Sequence, residues 1–197
     1  MKKKVKKESS LNKDIKNSLL AKRSLLKIEK KIKISIDKIF EKISNGGRIY
    51  LCGNGGSAAD AQHFAAEFLI RLRPKINRKP LPALTLATDT STITACGNDY
   101  SFDKIFSRNL EALGTSKDVL IAISTSGNSK NILNVLKIAK KKSILSIGFF
   151  GNRGGKAKNT TDISLIVNSK TTARIQEAHI FLGHHILEQL ENRILSH

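Results

Sequence analysis

Apolar residues along this chain change their spacing from helical to nearly continuous and back several times, and those changes mark out its architecture. Across residues 15–43 they recur every three or four positions, with Leu25, Ile28, Ile32, Ile36, Ile39 and Ile43 on one stripe and lysines on the remaining faces. That spacing predicts one amphipathic helix ending near Asn45-Gly46-Gly47. Its stripe is longer than one small sheet needs as a cover, so packing against a second subunit is expected. Short apolar runs follow at 48–52, 83–87, 119–123, 144–149 and 163–167. Helical patterns over 58–72, 91–96, 102–113 and 131–140 separate them, and a long last helix is predicted over 174–195. Near-continuous apolar strands alternating with helices predict an α/β fold in which a parallel sheet is covered on both faces. No internal repeat and no low-complexity linker interrupts the pattern. The proline-containing, basic stretch 73–82 reads as an exposed loop.

The 197 residues, 40% of them hydrophobic, suffice for one domain with a single substantial core. Residues 1–11 read as a basic tail and 12–197 as the domain. The formal charge of +19 comes from 35 Lys+Arg against 16 Asp+Glu. It is concentrated at the start, where Lys2, Lys3, Lys4, Lys6 and Lys7 open the chain. Lysine outnumbers arginine, aromatics are few, and basic and aromatic residues do not interleave as they do on base-stacking surfaces. The charge therefore reads as a solvated lysine-rich face and not as a nucleic-acid footprint. No apolar segment follows the basic start, and no run approaches the roughly 20 residues that span a bilayer. A cytoplasmic protein without membrane contact is expected. Cys52 and Cys96, with no Cys or His at metal-ligand spacing, read as reduced core thiols.

Two serine- and glycine-rich turns carry the chemical signal. Gly53-Asn54-Gly55-Gly56-Ser57 and Ser124-Thr125-Ser126-Gly127-Asn128-Ser129 each follow a predicted strand and precede a predicted helix. Glycines let backbone N–H groups approach an anion, hydroxyls add donors, and the first turn of the next helix supplies unpaired N–H groups and a positive dipole end. In such sheets ligands gather beyond the carboxyl ends of the strands. Both turns belong there, as does Gly97-Asn98-Asp99, and together they describe a phosphosugar site. His63 and Glu67, four apart on the helix after the first turn, share a face that suits a metal ion or acid–base work and equally a surface charge pair. The last helix offers Gln176, Glu177, His179, His184 and His185. Gln176 and His184 are about 12 Å apart along that helix and about 80° around it, so a common site requires convergent long side chains or a second subunit.

Four motifs, 54–63, 97–100 (Gly97-Asn98-Asp99-Tyr100), 123–129 and 173–179 (Ala173-Arg174-Ile175-Gln176-Glu177-Ala178-His179), occur in an order and spacing that resembles the sedoheptulose-7-phosphate isomerases, also called phosphoheptose isomerases, of the sugar-isomerase (SIS) domain superfamily. The likeness runs from about residue 12 to 195. It implies a single SIS domain with five parallel strands flanked by helices, N-terminal and C-terminal helices used for oligomerisation, a homotetramer with sites at subunit boundaries, and one zinc ion per subunit. Matched position by position, His63, Glu67, Gln176 and His184 fall on the family's metal and catalytic positions. Asn54, Gly55, Gly56, Ser57, Glu67, Asn98, Asp99, Ser124, Thr125, Ser126, Ser129 and Gln176 fall on or beside its substrate-binding ones. The chain departs from the family at Ala173, where some members are acidic, at the bulkier 149–154 turn, and at 168–170, which lacks a proline.

The resemblance implies conversion of D-sedoheptulose 7-phosphate to D-glycero-D-manno-heptose 7-phosphate, the first step towards nucleotide-activated heptose for surface glycans. Such an aldose–ketose isomerisation passes a proton between C1 and C2 through an enediol, which calls for a base near carbon and an acid near oxygen. Glu67 is the expected base and His184 the expected acid; zinc on His63, Glu67, Gln176 and His184 would polarise the carbonyl. Glu67 then alternates between ligand and base. Two other functions fit the same features: a non-catalytic SIS-domain regulator that binds the bacterial replication initiator, and an isomerase of another phosphosugar.

Overall fold

The computed structural model describes residues 9–86 and 88–196. Most of the expected basic tail and Ala87, at the end of the second expected strand, lie outside the described residues. Helix α1 (Ser10–Arg23) opens after Ser9, whose Oγ accepts the Asn12 N–H at 3.2 Å. This cap starts the helical domain before residue 12, so Ser10 and Leu11 belong to the helix and not to the tail. A 3-10 turn over Ser24–Ile28 leads into α2 (Glu29–Ser44). The expected single helix is therefore broken. Ser24 Oγ donates to the Ala21 carbonyl at 2.6 Å and accepts the Asn168 N–H at 3.0 Å, a back-bond that bends the helix and docks the bend on the loop beyond the sheet. At the far end Gly46 N–H bonds the Ile43 carbonyl and Gly47 N–H the Lys42 carbonyl, the paired bonds of a Schellman stop.

Thereafter strands and helices alternate: β1 (Ile49–Cys52), α3 (Gly56–Leu69), β2 (Ala83–Thr85), α4 (Thr90–Asp99), α5 (Ile105–Leu113), β3 (Val119–Ser124), α6 (Lys130–Lys141), β4 (Leu145–Gly151), β5 (Ile163–Val167) and α7 (Thr172–Leu195). The five strands are parallel, in the order β2-β1-β3-β4-β5. Side-chain alternation divides the core between the two sheet faces. Ile49 and Leu51 of β1, with Val119, Ile121 and Ile123 of β3, pack with Ile32, Ile36, Ile39, Phe64, Leu182 and Ile186 from α2, α3 and α7. Tyr50, Cys52, Leu120 and Ala122 face Ile105, Phe106, Leu110, Ile132, Val135 and Leu136 from α5 and α6.

The helical stripe meets this core directly. Leu25, Ile32, Ile36 and Ile39 are buried, and Ile28 and Ile43 pack against them. The sheet's own cover consumes the stripe that was expected to reach a second subunit. On the N-terminal helices, exposed apolar surface remains mainly on α1 and the bend, where Leu11, Leu20 and Leu26 are 68%, 63% and 71% exposed. Both cysteines are free and buried, and burial pushes the Cys52 thiol up, which keeps it unreactive. The chain reverses direction of travel across the sheet between β1 and β3, so the loops after these two strands flank one crevice.

Candidate active site

The two Ser/Gly turns border that crevice, and their own hydrogen bonds determine what each offers a ligand. Asn54 and Asn131 exchange amide hydrogen bonds, Asn54 Nδ2 to Asn131 Oδ1 at 2.9 Å and Asn131 Nδ2 to Asn54 Oδ1 at 2.8 Å. The first turn is thereby tied to the start of α6, and these groups of Asn54 are already committed to a protein partner. Ser124 Oγ accepts the Gly127 N–H at 3.1 Å and Ser126 Oγ accepts the Asn128 N–H at 3.1 Å. A hydroxyl that accepts from the backbone keeps its own proton to donate. Ser129 sits at the N-cap of α6 without using its side chain as the cap. Three hydroxyls thus gather where the helix dipole and free N–H groups favour an oxyanion. Ser57 is buried at the start of α3, and Thr125 is half-buried between the sheet and the turn.

Helices α3 and α7 lie side by side and parallel, which settles how Gln176 and His184 relate within one chain. Gln176 lies over the start of α3, so close that a Cβ on Gly56 would stand 2.4 Å from its Nε2. Eight residues on, His184 meets His63: their Nε2 atoms are 2.7 Å apart and the rings are nearly perpendicular at 70°. Glu67 follows one turn along α3, with Oε1 3.9 Å from His63 Nδ1. Burial holds His184 below the ordinary imidazole value, and the neighbouring His63 pushes in the same direction against the pull of Glu67 and Glu188. Two ring nitrogens at this distance share one proton, and a neutral His184 suits that arrangement.

Among the described residues no three His, Cys, Asp or Glu side chains are gathered into a metal-holding group. The pair itself has the right donors, since two imidazole nitrogens aimed at one point, with a carboxylate a turn away, are chemistry that zinc accepts. Gln176 stands at the other end of the site, against Gly56. Asn98 and Asp99 occupy the last turn of α4 instead of a loop, are exposed, and bond each other at 2.9 Å. No hydrogen bond joins them to either Ser/Gly turn among the described residues. His179 is fully buried beside Phe149, where burial pushes it down to about 4, and Glu177 pairs with Arg174 at 2.6 Å. Neither belongs to the site. His185 lines a groove of about 670 Å³ between α7 and the α1–α2 bend.

Two features escaped the sequence reading. Asp60, one turn before His63, is buried with Oδ2 unpartnered, and burial pushes its carboxyl up to about 6 against the opposing effect of His63. Arg78, in the stretch expected to be exposed, has a fully buried side chain paired with Glu191 of α7 at 2.9 Å. A carboxylate at helical spacing from a His was a visible signal for the first. For the second there was none, because the partners are separated by 113 residues.

Two consequences are measurable. Gly127 has φ +63°, and a Cβ there would lie 2.1 Å from the Gly154 carbonyl oxygen, a backbone atom that cannot step aside. Gly127→Ala is expected to cost more than the about 1–2 kcal/mol of a left-handed L-residue and to weaken phosphate binding at least tenfold; urea unfolding and phosphate titration check both. For Asp60 the folded carboxyl binds its proton more tightly than the unfolded one, so stability is greatest below the unfolded value near 4 and falls as pH rises towards about 6. Asp60→Asn should flatten the melting temperature over that window and raise it at pH 7, as read by thermal scans.

Known proteins match this architecture along most of its length. The SIS domain family profile matches residues 16–151. The phosphoheptose isomerase of Aliarcobacter butzleri is 51% identical over 170 residues, 86% of each chain. The solved phosphoheptose isomerase of Neisseria gonorrhoeae superposes with a TM-score of 0.86 at 40% identity, covering 92% of this chain and 97% of the other. That of Francisella tularensis gives 0.88 at 35% identity, covering 94% and 100%. With a shared fold, high identity and near-complete coverage, the chain belongs to the phosphoheptose isomerase family of SIS-domain proteins.

Proposed function

We propose that the chain isomerises D-sedoheptulose 7-phosphate to D-glycero-D-manno-heptose 7-phosphate, an aldose–ketose isomerisation that opens heptose synthesis. The observation that carries this function is the His63–His184 pair beside Glu67, built on the helix that follows the first turn of an oxyanion cradle. The hydroxyls of Ser124, Ser126 and Ser129 and the first turns of α3 and α6 bind the phosphate. Glu67 takes the proton from C1 of the ketose while His184 gives one to the C2 oxygen, forming the enediol. Return of a proton to C2 and loss of the O1 proton give the aldose. Half-burial of Glu67 limits competition from water for its charge. A zinc ion held by His63, His184 and Glu67 would supply Lewis-acid polarisation of the carbonyl; Gln176, the fourth expected ligand, rests against Gly56 and would have to swing away from it to join them.

Assembly follows from the leftover apolar surface. Leu11, Ile15, Leu19, Leu20 and Leu26 are half-exposed or more on α1 and the bend, and Phe181 of α7 is 49% exposed. A homotetramer that buries this surface supports sites at subunit boundaries, where exposed Asn98 and Asp99 of one chain could meet a neighbour's cradle. No helix among the described residues is long and apolar enough to cross a membrane, in keeping with work in the cytoplasm.

Incubation of the pure protein with sedoheptulose 7-phosphate should yield aldoheptose 7-phosphate. Glu67→Gln should lower turnover at least a thousandfold while substrate affinity stays within a few fold, because the phosphate is held elsewhere; near-normal turnover removes Glu67 as the base. Solution mass should report four chains; because Glu67 and His184 meet His63 within one chain, mixing Glu67→Gln with His184→Ala should leave every site defective, whereas mixing Glu67→Gln with an impaired Asp99→Ala variant should restore activity if Asp99 serves a neighbour's site.

A further inference from the structure

The end of α3 is held by a buried ionic clamp that the chemistry above does not use. Arg78 reaches back from the loop after α3 with its side chain fully buried. Its Nη2 donates to the Glu67 carbonyl at 2.7 Å, and its Nη1 donates to the carbonyls of Phe68 at 2.9 Å and Lys79 at 3.0 Å. Its Nε donates to Glu191 Oε1 at 2.9 Å. Glu191, also fully buried, accepts the Leu72 N–H on the same oxygen at 3.1 Å and Arg73 Nε on the other at 2.8 Å. Burial works against its charge, but the bonds from Arg73, Leu72 and Arg78 outweigh that and hold its carboxyl below the usual range.

We propose that Arg78, with Glu191 and Arg73, is a positioning residue for Glu67 and for the His63–His184 pair. Glu191 lies on α7 seven residues past His184, and Arg78 grips the backbone of Glu67 itself. The clamp therefore fixes α3 against α7 beyond the imidazoles, as the Gln176–Gly56 contact fixes them before. The last carbonyls of a helix have no partner within it, and a cation there also complements its dipole. A leucine could fill such a space with equal or greater stability, since burying charges is costly. What apolar packing lacks is a fixed angle. A planar guanidinium that bonds two helix carbonyls and a carboxylate at once sets the rotation of α3 about its axis, and lysine has no such fork.

The experiment compares wild type, Arg78→Lys, Arg78→Gln and Arg73→Gln in two measurements; the first rests on the proposed isomerisation and the second does not. In steady-state turnover of sedoheptulose 7-phosphate, folded Arg78 variants are expected to lose at least tenfold in kcat with KM within about twofold. In imidazole ¹H–¹⁵N spectra of the chelator-treated chain, the proton bridging His63 and His184 is expected to disappear or broaden in those variants. Unchanged kcat per folded chain together with an unchanged bridging signal overturns the proposal. If the wild type turns over no sedoheptulose 7-phosphate, the isomerase assignment fails and the imidazole spectra alone decide the positioning role. Should the Arg78 variants not fold, Arg73→Gln, whose side chain is one-third exposed, is judged by the same criteria.

Discussion

The parallel contact between α3 and α7 is the constraint on which the site depends. Gly56 faces Gln176, His63 faces His184, and the loop after α3 meets Glu191, so three separate contacts hold one register. Between them Gly183 lets the helices approach: a Cβ there would stand 2.1 Å from the Phe64 ring. A shift of α3 by one residue turns its side chains by about 100° and separates the imidazoles. Apolar packing of Phe64 and Leu182 holds the helices together, and the polar contacts at either end select one alignment.

The sheet supplies the second coordinate. Because β1 and β3 are neighbours while the chain departs from them to opposite faces, α3 and α6 start on either side of one crevice. The Asn54–Asn131 exchange ties the first turn to the start of α6 with neutral groups. An anion held there, as proposed, would be met by hydroxyl protons and backbone N–H groups, whose donor strength does not change with pH. The imidazole pair and the carboxylate beside it lie on α3 and α7.

Local patterns made much of this visible beforehand. All five strands, the stop at Gly46-Gly47 and both Ser/Gly turns follow from spacing and turn chemistry over a few residues, and the structure places them within a few residues of expectation. What local patterns could not show was long-range pairing. Ser24 breaks a helix because it docks 144 residues away, on Asn168. His63 stood out by its spacing to Glu67 and His184 as one of several polar residues on the last helix, family likeness joined them in one site, and their contact across 121 residues became evident only from the helix register. Arg78 looked like one more exposed cation because nothing near it in the chain announces Glu191. The stripe of 25–43 was read correctly as apolar, but its partner was the chain's own sheet.

The spacing along α3 has a consequence for which sugars can react. Gly56, in the first Ser/Gly turn, and His63, in the imidazole pair, are seven residues apart, or about 10 Å of helix. Both are fixed to α7 by their own contacts, so the interval cannot stretch. The helix is then a ruler. On the proposed function, a phosphosugar anchored at one mark would react only if its carbonyl reached the other, and shorter chains would bind by the same phosphate yet leave the imidazoles untouched. Discrimination among phosphosugars would then be a matter of length, read by the backbone of one helix, and the cradle could remain indifferent to everything beyond the phosphate.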